Sequence, residues 1–147
     1  MLYLAADAPG AFIETFGRQP GRLIVTTTEL ARRSLSIITV RSRRALRLVD
    51  LSGAGLAKIG ADSRLTSGSY DVSQVWALAL YEHPDQPDGL LFRSRHDPSR
   101  LCAAIFDRAE DALDARSLGS LADAANAVLL GHILDTYGFG LIDSAAP

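Results

Sequence analysis

The sequence predicts an α+β fold of mixed strand order, on three observations. Short apolar runs of β character alternate irregularly with short helical segments that carry their own start and stop signals. No internal repeat, low-complexity tract or linker divides them. The 147 residues are 48% apolar and 22% charged, which suits an ordinary globular chain. At this length one domain buries roughly 70% of its unfolded surface, so a full core forms without staples. The whole of 1–147 therefore reads as a single domain.

The elements follow in order. Residues 2–5 read as a strand that runs straight into a helix capped by Asp7 or Ala8. Pro9 sits in the first turn, where its missing N–H is no loss, and Gly17 ends the helix after Phe16. A loop over 18–21 precedes a strand at 23–25 and a short helix opened by Thr28 or a neighbour. Residues 36–40 and 46–51 read as two strands, with Arg41-Ser42-Arg43-Arg44 as the solvated turn between them. A short helix over 53–59 follows. Asp71 and Gln74 have capping-box spacing and open a helix that places Trp76 on its apolar face and stops at Pro84. Strands at 90–93 and 102–106 come next. A last helix over 121–137 carries Leu121, Ala125, Val128 and His132 on one face, with Gly138 as its terminator.

Charge and cysteine content exclude several classes. A formal net charge of −2 leaves no footprint for nucleic acid. Cys102 stands alone, so neither a disulfide framework nor a cysteine metal site is expected. The start lacks a signal-peptide pattern and no apolar run is long enough for a membrane helix, so a cytoplasmic protein is expected. The three histidines lack ligand spacing, so no metal is expected, and His132 on the expected apolar helix face reads as a core residue. Gly53-Ala54-Gly55 invites a phosphate-binding reading, but Lys58 stands where the dinucleotide fingerprint needs its third glycine. The phosphate-loop alternative fails too, because Ala61-Asp62 replaces the required Lys and Ser/Thr. Ser94, His96 and Asp97 are too close in sequence to converge as a hydrolase triad.

Two places invite chemistry. Glu14 is a carboxylate among apolar helix neighbours, and a buried carboxylate without a partner is costly enough to suggest function. Arg93 and Arg95 flank Ser94 where an apolar strand emerges. Strand alternation puts both arginines on one face and the hydroxyl on the other. Such an end can offer forked donors to a phosphate, or simply be an exposed strand end.

Taken together these segments resemble the RES-domain family, over residues 2–108. The carriers are Leu2-Tyr3-Leu4-Ala5 followed by Ala11-Phe12-Ile13-Glu14, then Leu48-Val49-Asp50-Leu51 and the helix containing Gln74. The run from Asp88 to the Arg93-Ser94-Arg95 triplet and Ala104-Ile105-Phe106 complete the pattern. The resemblance implies a split mixed sheet with flanking helices, similar to ADP-ribosyltransferases. It implies NAD⁺ as substrate rather than cofactor, and cleavage of the nicotinamide–ribose bond with water or phosphate as acceptor. It also implies a toxin role neutralised by an Xre-type antitoxin. Apart from the resemblance, a homo-oligomer stays open as a further partner state.

On that reading Glu14 stabilises positive charge on the ribose, and Tyr3 offers a ring face or hydroxyl to the nicotinamide riboside. Ser94 bonds the ribose or amide, and Arg93 or Arg95 meets the pyrophosphate. The family also carries an arginine upstream of the tyrosine, ahead of Met1, so the expectation is a domain incomplete at its N-terminus and weak or inactive as written. The alternatives are a catalytically inactive binding module and a protein ADP-ribosyltransferase.

Overall fold

The computed structural model describes residues 1–40 and 44–144. β1 (Leu2–Ala5) leads into α1 (Ala8–Phe16). Asp7 caps α1 as expected, its Oδ1 accepting the Gly10 N–H at 2.8 Å, and the Gly17 N–H closes the other end on the Ile13 carbonyl. β2 (Ile24–Thr26) runs into α2 (Thr27–Ala31). The cap here is Thr26, not Thr28. Its Oγ1 accepts from Glu29 N at 3.1 Å, and Glu29 Oε2 accepts from Thr26 N at 2.9 Å.

β3 (Ser36–Val40) and β4 (Leu48–Leu51) lie where the sequence put them, β4 two residues shorter at its start. Residues 41–43 of the expected turn fall outside the described residues. Arg44 is described, and it is not simply solvated. Its guanidinium grips the buried Asp88 carboxylate through two bonds of 2.6 and 3.0 Å.

α3 (Ala54–Lys58) and α4 (Arg64–Ser67) precede α5 (Tyr70–Tyr81). The expected Asp71–Gln74 capping box does not form. Ser69 is the N-cap, which places Asp71 inside the first turn. Trp76 packs against buried Leu51, Leu65, Leu90, Ala104 and Phe106, the core reading of that residue.

β5 (Gly89–Arg93) and β6 (Leu101–Ile105) follow, then a 3₁₀ turn at Asp107–Ala112 and β7 (Leu113–Ser117). α6 (Ala127–Tyr137) ends at Gly138, whose φ of 67° is the left-handed conformation glycine adopts without strain. β8 (Gly140–Ile142) closes the order.

α6 corrects two expectations. It starts at 127 rather than 121, and its buried residues are Leu130 and Ile133, flanked by Leu129, Leu134 and Tyr137. Val128 is 89% exposed, and Ala125 and His132 are exposed as well. The apolar stripe is thus rotated from the face expected, and His132 is a surface residue.

The strands form a split, mixed sheet system with flanking helices. The main sheet has the order β1-β6-β5-β4, antiparallel except for the parallel β5–β4 pair. β2 pairs with β8 in parallel, and β3 pairs with β7 antiparallel. β3 and β4, consecutive in sequence, therefore sit in different sheets. The fold is α+β.

Two cores hold it together. The first joins Phe12, Ile13, Val25 and Leu30 to Leu130, Ile133 and Phe139, with the Phe12 and Phe139 rings edge to face at 5.1 Å. The second lies between the main sheet and α3–α5. α1 carries the first core on its Phe12–Ile13 side while packing on β1, so it bridges the two. No helix among the described residues is long and apolar enough to cross a membrane.

Candidate active site

The register of the main sheet defines the floor of the site. Ala5 lies opposite Cys102 and Tyr3 opposite Ala104, while Cys102 lies opposite Phe92. Side chains of a strand alternate between faces with period two, so Tyr3, Ala5, Phe92, Cys102 and Ala104 share one face. This is the face that packs the second core, through Ala104, Leu90 and Leu51.

α1 rests on this sheet at β1. A Cβ added at Gly10 would meet the Ala5 Cβ at 3.2 Å. One turn further on, Glu14 points a carboxylate oxygen, Oε1, into the protein, where it is buried without a hydrogen-bond partner among the described residues. Buried polar atoms in native proteins are nearly always satisfied, and the exceptions ask for an explanation. The Cys102 thiol feels this carboxylate. Burial, then the charges of Glu14 and Asp7, push its pKa up to about 11, so it is a neutral thiol at physiological pH and no nucleophile.

Tyr3 stands on the same face, toward the β1 end of the sheet. Its side chain is 65% exposed, which leaves a ring face open to a ligand. Its hydroxyl is held above the ordinary tyrosine pKa, by desolvation first and by the neighbouring Tyr70 second.

Ser94 follows β5 and is 1% exposed. Its N–H donates to the Arg100 carbonyl at 3.0 Å, carrying the β5–β6 ladder one bond further. Its Oγ accepts from the backbone N–H groups of His96 and Asp97, each at 3.1 Å, which fixes a tight turn. With both lone pairs engaged, what the hydroxyl has left to give is its proton. The expected failure of the Ser94-His96-Asp97 triad holds, since His96 and Asp97 meet the serine through their backbones.

The two arginines do not act as one fork. β5 ends at Arg93, so the alternation expected through Arg95 stops there. Arg93 donates to the Ser99 carbonyl at 3.2 Å across the β5–β6 turn, and Arg95 to the Gly68 carbonyl at 3.1 Å just ahead of α5.

Arg95 and His96 also line a cleft of about 280 Å³ with Ile13, Gly17, Arg22 and Phe139. This cleft lies between the C-terminal half of α1 and the Ser94 turn. A larger cleft, about 330 Å³, runs beside Phe12, Phe16, Leu30 and Leu35 and holds none of the five site residues named from the sequence. The smaller one is therefore the better candidate for a polar ligand. Among the described residues no group of three or more His, Cys, Asp or Glu converges as a metal site.

Sequence reasoning missed Tyr70 beside Tyr3, Cys102 beneath Glu14, and the ionic chain that ties α1 to the β5–β6 turn. Only the last left a trace, the Asp97–Arg100 spacing. Its other partner, Asp7, is 93 positions from Arg100 and gave no sign.

Comparison with known proteins yields a family and a relative. The family described as RES domain matches residues 1–125. A protein of Sinorhizobium fredii (strain NBRC 101917 / NGR234) described as "Probable toxin y4kH" is 28% identical over 109 residues, covering 74% of this chain and 84% of that protein. No solved structure matches the chain. The chain belongs to the RES-domain family.

Proposed function

We propose that this member of the RES-domain family is a toxin-type enzyme that consumes NAD⁺ by cleaving the bond between nicotinamide and ribose. Water or phosphate is the acceptor, and an Xre-type antitoxin in the cytoplasm keeps the enzyme in check. The relative described as a probable toxin supports the biological role. The observation that carries the chemistry is the Glu14 oxygen, buried and without a partner among the described residues, close to a neutral thiol on the sheet face that also carries the open ring of Tyr3.

In this reaction the C1′–N bond breaks and its electron pair returns to the pyridinium nitrogen, which becomes neutral nicotinamide. The ribose passes through an oxocarbenium-like state, and a water oxygen, or a phosphate oxygen, adds to C1′; with water, a proton is released. A carboxylate oxygen that no donor among the described residues satisfies is poised for that state. It faces developing positive charge, or takes a ribose hydroxyl proton in a hydrogen bond, with no internal partner to displace first. The open ring of Tyr3 stacks the nicotinamide, and the Ser94 hydroxyl donates to the ribose or the carboxamide. The cleft lined by Arg95 and His96 takes the pyrophosphate, with Arg93 at the neighbouring turn.

The test is NAD⁺ consumption by the full-length gene product and its Glu14→Ala variant, with labelled NAD⁺ and product analysis. The expected result is free nicotinamide with ADP-ribose or its phosphate from the parent, and at least about a hundredfold loss in the variant. Equal turnover in the two proteins overturns the assignment of Glu14. A parent that binds an antitoxin without consuming NAD⁺ is a binding module instead, and label left on protein identifies transfer.

A further inference from the structure

A chain of polar contacts outside the proposed reaction joins the two sides of the site. Asp7 caps α1 with Oδ1, and its Oδ2 accepts from Arg100 Nη1 at 2.6 Å. Arg100 Nε reaches Asp97 Oδ2 at 3.2 Å, and the Tyr137 hydroxyl donates to the same oxygen at 2.9 Å. The Asp97 N–H in turn donates to Ser94 Oγ, and the Arg100 carbonyl accepts the Ser94 N–H. Thus one guanidinium spans the cap of the Glu14 helix and the turn that holds Ser94, and Tyr137 ties both to the end of α6.

We propose that Arg100 is a positioning residue that fixes the Glu14 carboxylate against the Ser94 turn. Its reach explains why it must be arginine. Two carboxylates on different segments are met by two edges of one planar fork, which the single point charge of lysine does not reproduce.

The clamp is partly shielded, with about a quarter of the Arg100 side chain and a fifth of the Asp97 side chain exposed. The Asp7 leg is more open, with that side chain 42% exposed, so its value lies in the geometry it sets rather than in the small energy of a surface pair. The packing around it is tight. A Cβ at Gly10 would lie 3.0 Å from Asp7 Oδ1 and 3.5 Å from the Arg100 Cβ, so this glycine lets the helix start sit directly on the clamp. The Asp97 carboxyl is drawn down to about 2 by its bonds to Ser99, Tyr137 and Arg100, so it meets Arg100 as an anion at neutral pH.

The inference rests on the reading that Glu14 and Ser94 flank the scissile sugar, and its test separates the two. Arg100→Lys and Asp7→Asn are compared with the parent; asparagine keeps the cap of α1 and removes only the charge facing Arg100. Two quantities are read in the folded protein. The first is kcat and KM for NAD⁺. The second, independent of any reaction, is the alkylation rate of Cys102 by iodoacetamide in Arg100→Lys, which leaves every charge near this buried thiol in place and so reports how firmly α1 is seated; Asp7→Asn is read by kinetics alone, because its lost charge would itself lower the thiol pKa.

The clamp predicts kcat lower by about tenfold or more with KM within about twofold, since misplacement of a reacting group costs rate before binding. It also predicts several-fold faster alkylation at an unchanged melting temperature. Unchanged kcat and unchanged alkylation overturn the clamp while leaving NAD⁺ cleavage standing. Faster alkylation in Arg100→Lys of a parent that does not consume NAD⁺ supports the clamp and overturns the reaction.

Discussion

Asp88 and Glu14 are both carboxylates taken into the protein, and they are treated in opposite ways. Asp88 is 4% exposed and fully engaged. Its Oδ1 accepts one Arg44 bond; its Oδ2 accepts a second, and the Arg47 N–H at 2.7 Å as well. Its own N–H and carbonyl bond Arg47 and Phe106, so it locks the approach to β4 onto the start of β5. Glu14 has a buried oxygen with no partner among the described residues. The first is a buried charge satisfied by structure. The second keeps one buried oxygen without a partner among the described residues, and it is this difference that the proposed function accounts for.

The comparison can be broken from either side. The largest effect expected is on the reaction. Glu14→Ala abolishes NAD⁺ consumption to at least about a hundredfold, while Asp88→Asn, if it folds, retains it within a few-fold; a product assay on both proteins decides. The next effect is on stability and runs the other way. Asp88→Ala removes the acceptor of the Arg47 N–H and the buried partner of the half-exposed Arg44, and lowers stability by about 2 kcal/mol in denaturant unfolding. A loss under about 1 kcal/mol would mean that the node is ornamental.

A smaller effect is the sharpest test of the contrast. Glu14→Leu removes an unsatisfied buried oxygen at similar side-chain size and raises stability by about 1 kcal/mol, seen as a higher melting temperature. A clear loss would show that the carboxylate has a structural partner after all. The smallest effect is in pH. The Asp88 carboxyl is held below its ordinary range by Arg44, and that of Asp97 at about 2 by Ser99, Tyr137 and Arg100. Folded-state values depressed in this way contribute stability at neutral pH that is lost as the pH falls, for Asp97 from the ordinary carboxylate value toward about 2. Acid unfolding curves of Asp97→Asn should therefore be flatter below about pH 4 than those of the parent.

Local signals were legible where the chain settles its own ends. Asp7, Pro9, Gly17 and Gly138 placed the bounds of α1 and the stop of α6 without any tertiary information. What the sequence hid was decided by partners far along the chain. β7 is Leu-Asp-Ala-Arg-Ser, with no β pattern of its own, and exists because Ile37–Thr39 and their neighbours bond it across the β3–β7 ladder. β8 has three residues and needs β2, more than a hundred positions earlier. The face of α6 was misjudged because Leu129, Leu130, Ile133 and Leu134 form a stripe that competes with the one through Leu121 and Val128, and Phe12 and Phe139 choose between them. The same holds at the site. Glu14, Tyr3 and Ser94 were visible as residue types in a spaced pattern, but an oxygen without a partner is a property of packing, and the ionic chain from Asp7 to Tyr137 closes only in three dimensions.

The first core also sets a timetable. Phe12, Ile13 and Val25 leave the ribosome early, but the residues that bury them, Leu130, Ile133 and Phe139, come last. At roughly 5–20 residues per second, synthesis of the intervening stretch lasts from several seconds to tens of seconds. Until Tyr137 has emerged, nothing holds the far end of the clamp, and the helix that carries Glu14 has no wall behind it. A nascent chain therefore goes without its finished first core for the whole of that interval, and with it without the seat of α1.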